Sequence, residues 1–77
     1  MSEVEWINIF GDNLASLLEE TRMTQKELAE ESGVSEASIS KYINKQIAPS
    51  IFTIINLSYA LDCDISELVD FGDIIEL

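Results

Sequence analysis

Residues 24–45 constrain the fold more than any other part of the chain. The segment opens with Thr24 and Glu27, whose side chains can cap the free amides at the start of a helix. Gly33 lies where that helix would end in a left-handed residue, a conformation that costs glycine nothing. Ser35 then caps a second helix that runs to about Asn44. The segment therefore predicts two short helices joined by a tight turn.

Three residues of this segment have the sizes that two crossing helices require. Ala29 is small where the helix axes come closest, and Gly33 follows four positions later in the turn. Ile39 is a β-branched residue that can pack under Ala29. The spacing favours a helix-turn-helix, the motif that places its second helix in the DNA major groove. The alternative is a helical hairpin of a small bundle, with the same turn and no nucleic-acid role.

The rest of the chain also follows a helical pattern, without strand signals or internal repeats. Apolar residues at helical spacing and turn residues predict helices at about 5–21, 25–32, 36–44, 51–61 and 65–70. A further capping pair, Ser2 with Glu5, allows the first helix to start earlier. Asp62 is expected to take the left-handed position after the fourth helix. The 77 residues therefore predict one all-α domain of five helices, residues 1–77.

Composition argues against catalytic and membrane functions. The chain has one cysteine, Cys63, and no histidine, so an internal disulfide and the usual nucleophile–base pairs are excluded. We expect Cys63 to pack as a small hydrophobe. We expect no enzyme activity, no cofactor and no metal. No apolar run approaches the ~18 residues of a membrane span, and no basic leader precedes the first helix, so a soluble cytoplasmic protein is expected.

The net charge of −11 is unevenly distributed along the chain. All four basic residues lie between positions 22 and 45, where four acidic residues balance them: Arg22, Lys26, Lys41 and Lys45 against Glu27, Glu30, Glu31 and Glu36. The whole negative charge therefore lies outside the predicted motif. Distant acids are screened over about 8 Å at physiological salt, so they weaken DNA binding without excluding it.

The chain resembles the Cro and phage-repressor type of helix-turn-helix domain, the XRE family. The resemblance covers about residues 8–70 and leaves a tail, residues 71–77. It is carried by residues 10–14, 24–29, 35–44, 49–61 and 64–68. It implies a compact five-helix domain that binds double-stranded operator DNA, usually as a homodimer. One feature departs from the family pattern, because Leu18 and Ile43 stand where members often have an Arg–Glu ion pair.

The resemblance also implies which residues meet DNA. Gln25 would face a phosphate at the start of the second helix, and the recognition helix would present Lys41 and Lys45 on one shared face. Glu36 could accept from a cytosine or simply favour the helix dipole. The full predicted set is Gln25, Lys26, Ser35, Glu36, Ala37, Ser38, Ser40, Lys41, Asn44 and Lys45.

Apolar residues near the C-terminus are candidates for self-association. The predicted dimerisation set is Val69, Phe71, Ile74, Ile75 and Leu77. The alternative is that these residues fold back on the first helix, against Trp6 and Ile9.

Two functions from different classes follow. The first is a sequence-specific transcriptional regulator, a dimeric repressor of the phage or mobile-element type. The second is a protein-interaction module (an antirepressor, a DNA mimic or an antitoxin-like domain) whose acidic surface meets a basic partner.

Overall fold

The structure is a computed structural model that describes residues 1–71 of the chain. Within that range it has five helices and no strand: α1 (Glu3–Thr21), α2 (Gln25–Ser32), α3 (Glu36–Ile43), α4 (Ile51–Ala60) and α5 (Ile65–Leu68). α3 packs on α1 and α2, α4 packs on α2 and α5, and α5 returns to α1. The predicted all-α, five-helix architecture is confirmed.

Side-chain caps start the helices where the sequence predicted them. In four helices the hydroxyl oxygen of the cap residue accepts a hydrogen bond of 3.1 Å from the backbone N–H three residues later. The cap residues are Ser2, Thr24, Ser35 and Ser50. Each such cap stabilises its helix by about 1 kcal/mol. Because the Ser2–Glu5 pair is complete, α1 begins at Glu3, ahead of the predicted start near Glu5.

Left-handed residues end α1 and α2 and follow α3 and α4, and the one after α3 is Lys45 with φ 62°. Gly33 ends α2 with φ 75° and Asp62 follows α4 with φ 52°, as predicted. Arg22 ends α1 with φ 57°, and its N–H donates to the carbonyl of Glu19 at 3.3 Å. The Arg22 cap was not predicted, because arginine seldom adopts a positive φ.

One hydrophobic core joins all five helices. Phe10 and Tyr42 meet at its centre, edge to face, with ring centroids 5.7 Å apart. The buried apolar side chains are Phe10, Leu14, Leu17, Leu18, Leu28, Ile39, Tyr42, Ile54, Leu57, Leu61 and Leu68. α3 is too short to be stable by itself, so its position depends on this packing.

α1 and the end of α3 are in close contact at Gly11. A Cβ at this position would lie 2.6 Å from the Tyr42 carbonyl oxygen and 3.1 Å from Cγ of Lys45. Glycine normally weakens a helix interior by roughly 0.5–1 kcal/mol relative to alanine. At Gly11 the missing side chain lets the backbone of α3 lie directly on α1.

Contacts from α1 define where α5 ends. The Asn13 side-chain amide donates to the carbonyls of Leu68 at 2.9 Å and Asp70 at 3.0 Å. The Leu68 carbonyl would accept an N–H from the next turn of a longer helix, but it accepts Asn13 instead. The prediction that this helix reaches Asp70 is therefore wrong, because α5 ends at Leu68.

The start of the tail packs on the first turns of α1. The Phe71 ring lies against Trp6 with centroids 5.9 Å apart, and Trp6 in turn meets Phe10 at 5.5 Å. Val69 is half-buried against the core. Two members of the predicted dimerisation set thus have contacts within their own chain, and the other three, Ile74, Ile75 and Leu77, lie outside the described residues.

We expect Gly11→Ala to destabilise the protein by about 1–3 kcal/mol, because the added methyl group overpacks the α1–α3 contact. Urea unfolding followed by far-UV circular dichroism measures this change. Ser16→Ala, at an exposed position of the same helix, is the control and should stay within about 0.5 kcal/mol of wild type. A Gly11→Ala variant as stable as wild type would contradict the close approach of the two helices.

Candidate nucleic-acid interface

α2 and α3 form the two helices of the predicted motif, and their inner sides are buried. Leu28 of α2 and Ile39 and Tyr42 of α3 point into the core. Ala29 and Val34 are half-buried and pack against it, as their predicted places at the crossing and in the turn require. With its inner side fixed, α3 presents its opposite side to solvent.

The outward side of α3 is small and accessible. Glu36, Ala37 and Lys41 are exposed there. Ala37 and Lys41 are one helical turn apart and therefore share a face. Glu36 lies in the first turn, where the helix dipole favours a carboxylate. This side offers a methyl group and a lysine with little bulk between them.

Serine and asparagine side chains of the predicted site bond to one another. The Ser35 hydroxyl donates to that of Ser38 at 2.8 Å, and the Asn44 amide donates to the Ser40 hydroxyl at 3.2 Å. Ser38 and Ser40 are half-buried. Because both accept in these bonds, their own O–H groups remain able to donate. The pairs fix the side chains that would face a ligand on α3.

Lys45 lies elsewhere than the sequence predicted. α3 ends at Ile43, and Lys45 follows its cap with a left-handed φ of 62°. Its Nζ lies 2.8 Å from Oδ1 of Asp12 on α1. The prediction that Lys41 and Lys45 share one helical face is therefore wrong. Both partners are well exposed, so the pair contributes no more than about 1 kcal/mol to folding.

Lys41 has no such partner. Within residues 1–71 no carboxylate lies within ion-pair distance of its ammonium group. The nearby acids of the motif, Glu30, Glu31 and Glu36, are exposed to solvent. Among the described residues, Lys41 is therefore a cation without an ion-pair partner on the outward side of α3.

The start of α2 adds a second polar edge to the motif. Gln25 is its first residue and is half-buried, and Lys26 next to it is exposed. The Thr24 hydroxyl accepts the Glu27 N–H and the Glu27 carboxylate accepts the Thr24 N–H. The amides of Gln25 and Lys26 are therefore the ones left for a ligand at this positive end of the helix dipole. Such an end suits a phosphate.

Apolar side chains occupy the two positions where the XRE family often has an ion pair. Leu18 is buried and Ile43 is half-buried against the core. Replacing a buried ion pair by apolar residues is often neutral or stabilising.

The described residues offer little for catalysis or metal binding. Cys63 is a half-buried free thiol. Burial raises its pKa, and the carboxylates of Glu67, Asp64 and Asp62 raise it further, so the reactive thiolate is disfavoured. No group of three or more metal-ligating side chains occurs within residues 1–71. In the same range no helix is long and apolar enough to cross a bilayer.

Comparisons with known proteins agree with this geometry. The helix-turn-helix family model HTH_3 matches residues 14–68. The fold is also similar to the crystal structure of the restriction-modification controller protein C.AhdI from Aeromonas hydrophila, with a TM-score of 0.77 and 29% sequence identity over 80% of this chain and 94% of that one. No curated protein matches the chain. The chain therefore belongs to the XRE-type helix-turn-helix family of non-enzymatic, DNA-binding transcription regulators.

Proposed function

We propose that the protein is a dimeric, sequence-specific regulator that inserts α3 of each copy into the major groove of a two-fold-related operator. The observation that carries this proposal is the outward side of α3, which is accessible and holds Lys41, a cation with no ion-pair partner within residues 1–71. A buried or neutralised lysine at this point would leave the motif without a strong donor for a base or phosphate.

The remaining contacts follow from the same placement. The Ala37 methyl group suits the C5 methyl of thymine, and the Ser38 hydroxyl can donate to a base or a phosphate. The Gln25 side chain, Lys26 and the amides that open α2 would hold a phosphate. Phosphate contacts fix the register, and Lys41 and its neighbours read the sequence.

A dimer is favoured by the small size of each contact surface. One helix of eight residues with a single lysine gives few phosphate contacts, and two copies double them. The chain measures 37 × 22 × 21 Å. Two copies side by side can thus place their α3 helices about 34 Å apart, the distance of one DNA turn.

The type of regulator is proposed by analogy with other short DNA-binding proteins. We propose a repressor of the phage or mobile-element type, since such regulators are short, and the similar C.AhdI is itself a controller protein of a restriction-modification system.

We expect Lys41→Gln to lower operator affinity at least about 30-fold, because a dimer loses two contacts of 1 kcal/mol or more each. The operator is first selected from random duplexes, and affinity is then measured by fluorescence anisotropy. Asn8→Asp is the control, since it makes the same change in net charge at an exposed position of α1. Equal losses in both variants would mean that the charge of the whole protein matters and α3 does not.

We expect Asp12→Asn to raise DNA affinity about three- to tenfold, because it releases Lys45 to bind a phosphate. The slope of log affinity against log salt should steepen by about one for each chain. Glu20→Gln on α1 changes the net charge equally away from Lys45 and should have less than about a twofold effect. An unchanged salt slope for Asp12→Asn would remove Lys45 from the DNA contacts.

One observation favours the protein-interaction alternative. The chain carries a net charge of −11 and pairs one of its four cations with its own Asp12. If no duplex is enriched in the selection, even at low salt, the DNA proposal fails and a basic protein partner becomes the better explanation.

A further inference from the structure

α4 exposes an apolar face. The helix contains no charged residue, and its core-facing side is buried through Ile54 and Leu57. On the other side, Ile51, Phe52 and Tyr59 are 66%, 70% and 87% exposed. Ile55 of α4 and Ile65 of α5 complete the surface, which we call the α4 face: Ile51, Phe52, Ile55, Tyr59 and Ile65. Ile51, Ile55 and Tyr59 follow one another at intervals of four residues, and Phe52 lies three residues before Ile55. All four therefore share one side of α4.

The α4 face is large for a protein of this size. An aromatic side chain contributes about 150–250 Å² of surface, so two exposed rings and three isoleucines present on the order of 500 Å². The largest apolar patch of a typical monomer is about 300–600 Å² and often serves a function. A stable interface buries about 800 Å² on each partner, so the α4 face would supply more than half of one.

A groove runs beside this face, between the end of α4 and the start of α5. Ile55, Ser58, Cys63 and Ile65 line it, and the protruding Tyr59 stands at its edge. The groove is open to solvent, and its volume of about 520 Å³ is ample for one phenol ring. The same surface therefore carries both a projecting ring and a cavity that can receive one.

Charge identifies a second copy of this chain as the occupant. Two copies, each with a charge of −11, repel one another unless they meet where carboxylates are absent. α4 itself carries no carboxylate, and the carboxylates that line the groove, Asp62 and Asp64, follow the end of the helix. A basic protein would find few acids to bind there. A surface that carries both a projecting ring and a groove beside it can be self-complementary, as a two-fold contact requires.

We propose that two copies of the chain pack α4 against α4 across a two-fold axis, with Tyr59 of each copy seated in the groove of the other. This inference deepens the dimer proposed above by naming where the copies meet. No residue of the α4 face belongs to the outward side of α3, so the contact leaves Lys41 available to DNA.

The test is the dissociation constant of the dimer, measured by sedimentation equilibrium on the full chain. We expect the charge-neutral double substitution Phe52→Gln/Tyr59→Gln to raise it at least about 30-fold, since aromatic anchors dominate such contacts. Both positions are exposed, so folding should persist and is checked by urea unfolding. Tyr59→Phe, which keeps the ring, should stay close to wild type.

Two control variants separate this contact from others. Val4→Gln removes an exposed apolar side chain of α1, 67% accessible, and should leave the dissociation constant unchanged. Ile74→Gln/Ile75→Gln changes the tail that the sequence analysis named for dimerisation, and it should also leave the constant unchanged. A tail variant that dissociates while the α4 variant does not would overturn the proposal.

Cys63 and salt give independent readouts. Because Cys63 lines the groove, its reaction with a thiol reagent should slow in the wild-type dimer and not in the double variant. Added salt should tighten the dimer, because it screens repulsion between acidic chains, whereas it weakens DNA binding. Wild-type protein that stays monomeric at about 100 μM or above, alone and on the operator, would overturn the α4 contact.

The outcomes for the dimer and for DNA are distinguishable. The α4 double variant should keep weak binding to a half-site through α3, whereas Lys41→Gln should keep the wild-type dimer and lose DNA. Wild-type protein that forms the dimer and binds no duplex contradicts the proposed function. An unaffected dimer in the α4 double variant contradicts only the α4 contact.

Discussion

The packing of α1 on α3 at Gly11 is the contact on which the interface depends. α3 has eight residues, too few to hold a helix or an orientation without support. Ile39 and Tyr42 anchor its inner side, and the missing Cβ of Gly11 lets its C-terminal turn lie on the backbone of α1. With that side fixed, the direction of Ala37 and Lys41 follows from helical geometry alone.

The same contact determines how the motif is charged. The Lys45 side chain lies against Gly11, and its ammonium group forms an ion pair with Asp12, the next residue of α1. A lysine that sequence spacing places beside Lys41 is thus held by another helix. Within the part of the chain that the structure describes, the outward side of α3 keeps one cation without an ion-pair partner, although the protein is strongly acidic. On such a surface, we expect DNA affinity to depend on fit and on the proposed pairing of two copies as well as on charge.

Local signals in the sequence were enough for much of this fold. Capping serines and threonine, Gly33 and the apolar spacing located all five helices, because each acts within a few residues. The left-handed Lys45 and the early end of α5 depend on Asp12 and Asn13, which are distant in sequence, and no local pattern reveals such partners. The close contact at Gly11 could have been suspected from the sequence, since a glycine inside an amphipathic helix usually has a packing reason.

α4 shows a different limit of sequence analysis. Its residues are apolar on nearly every side, so periodicity cannot say which ones the core would cover, and the tail was the more obvious candidate for self-association. The structure buries Ile54 and Leu57 and leaves Phe52 and Tyr59 in solvent. In the proposed dimer, an uncharged contact avoids repulsion between acidic chains, whereas a contact with DNA must be cationic. Ionic strength therefore acts in opposite directions on the two proposed contacts, and operator occupancy would peak where neither screening nor repulsion dominates.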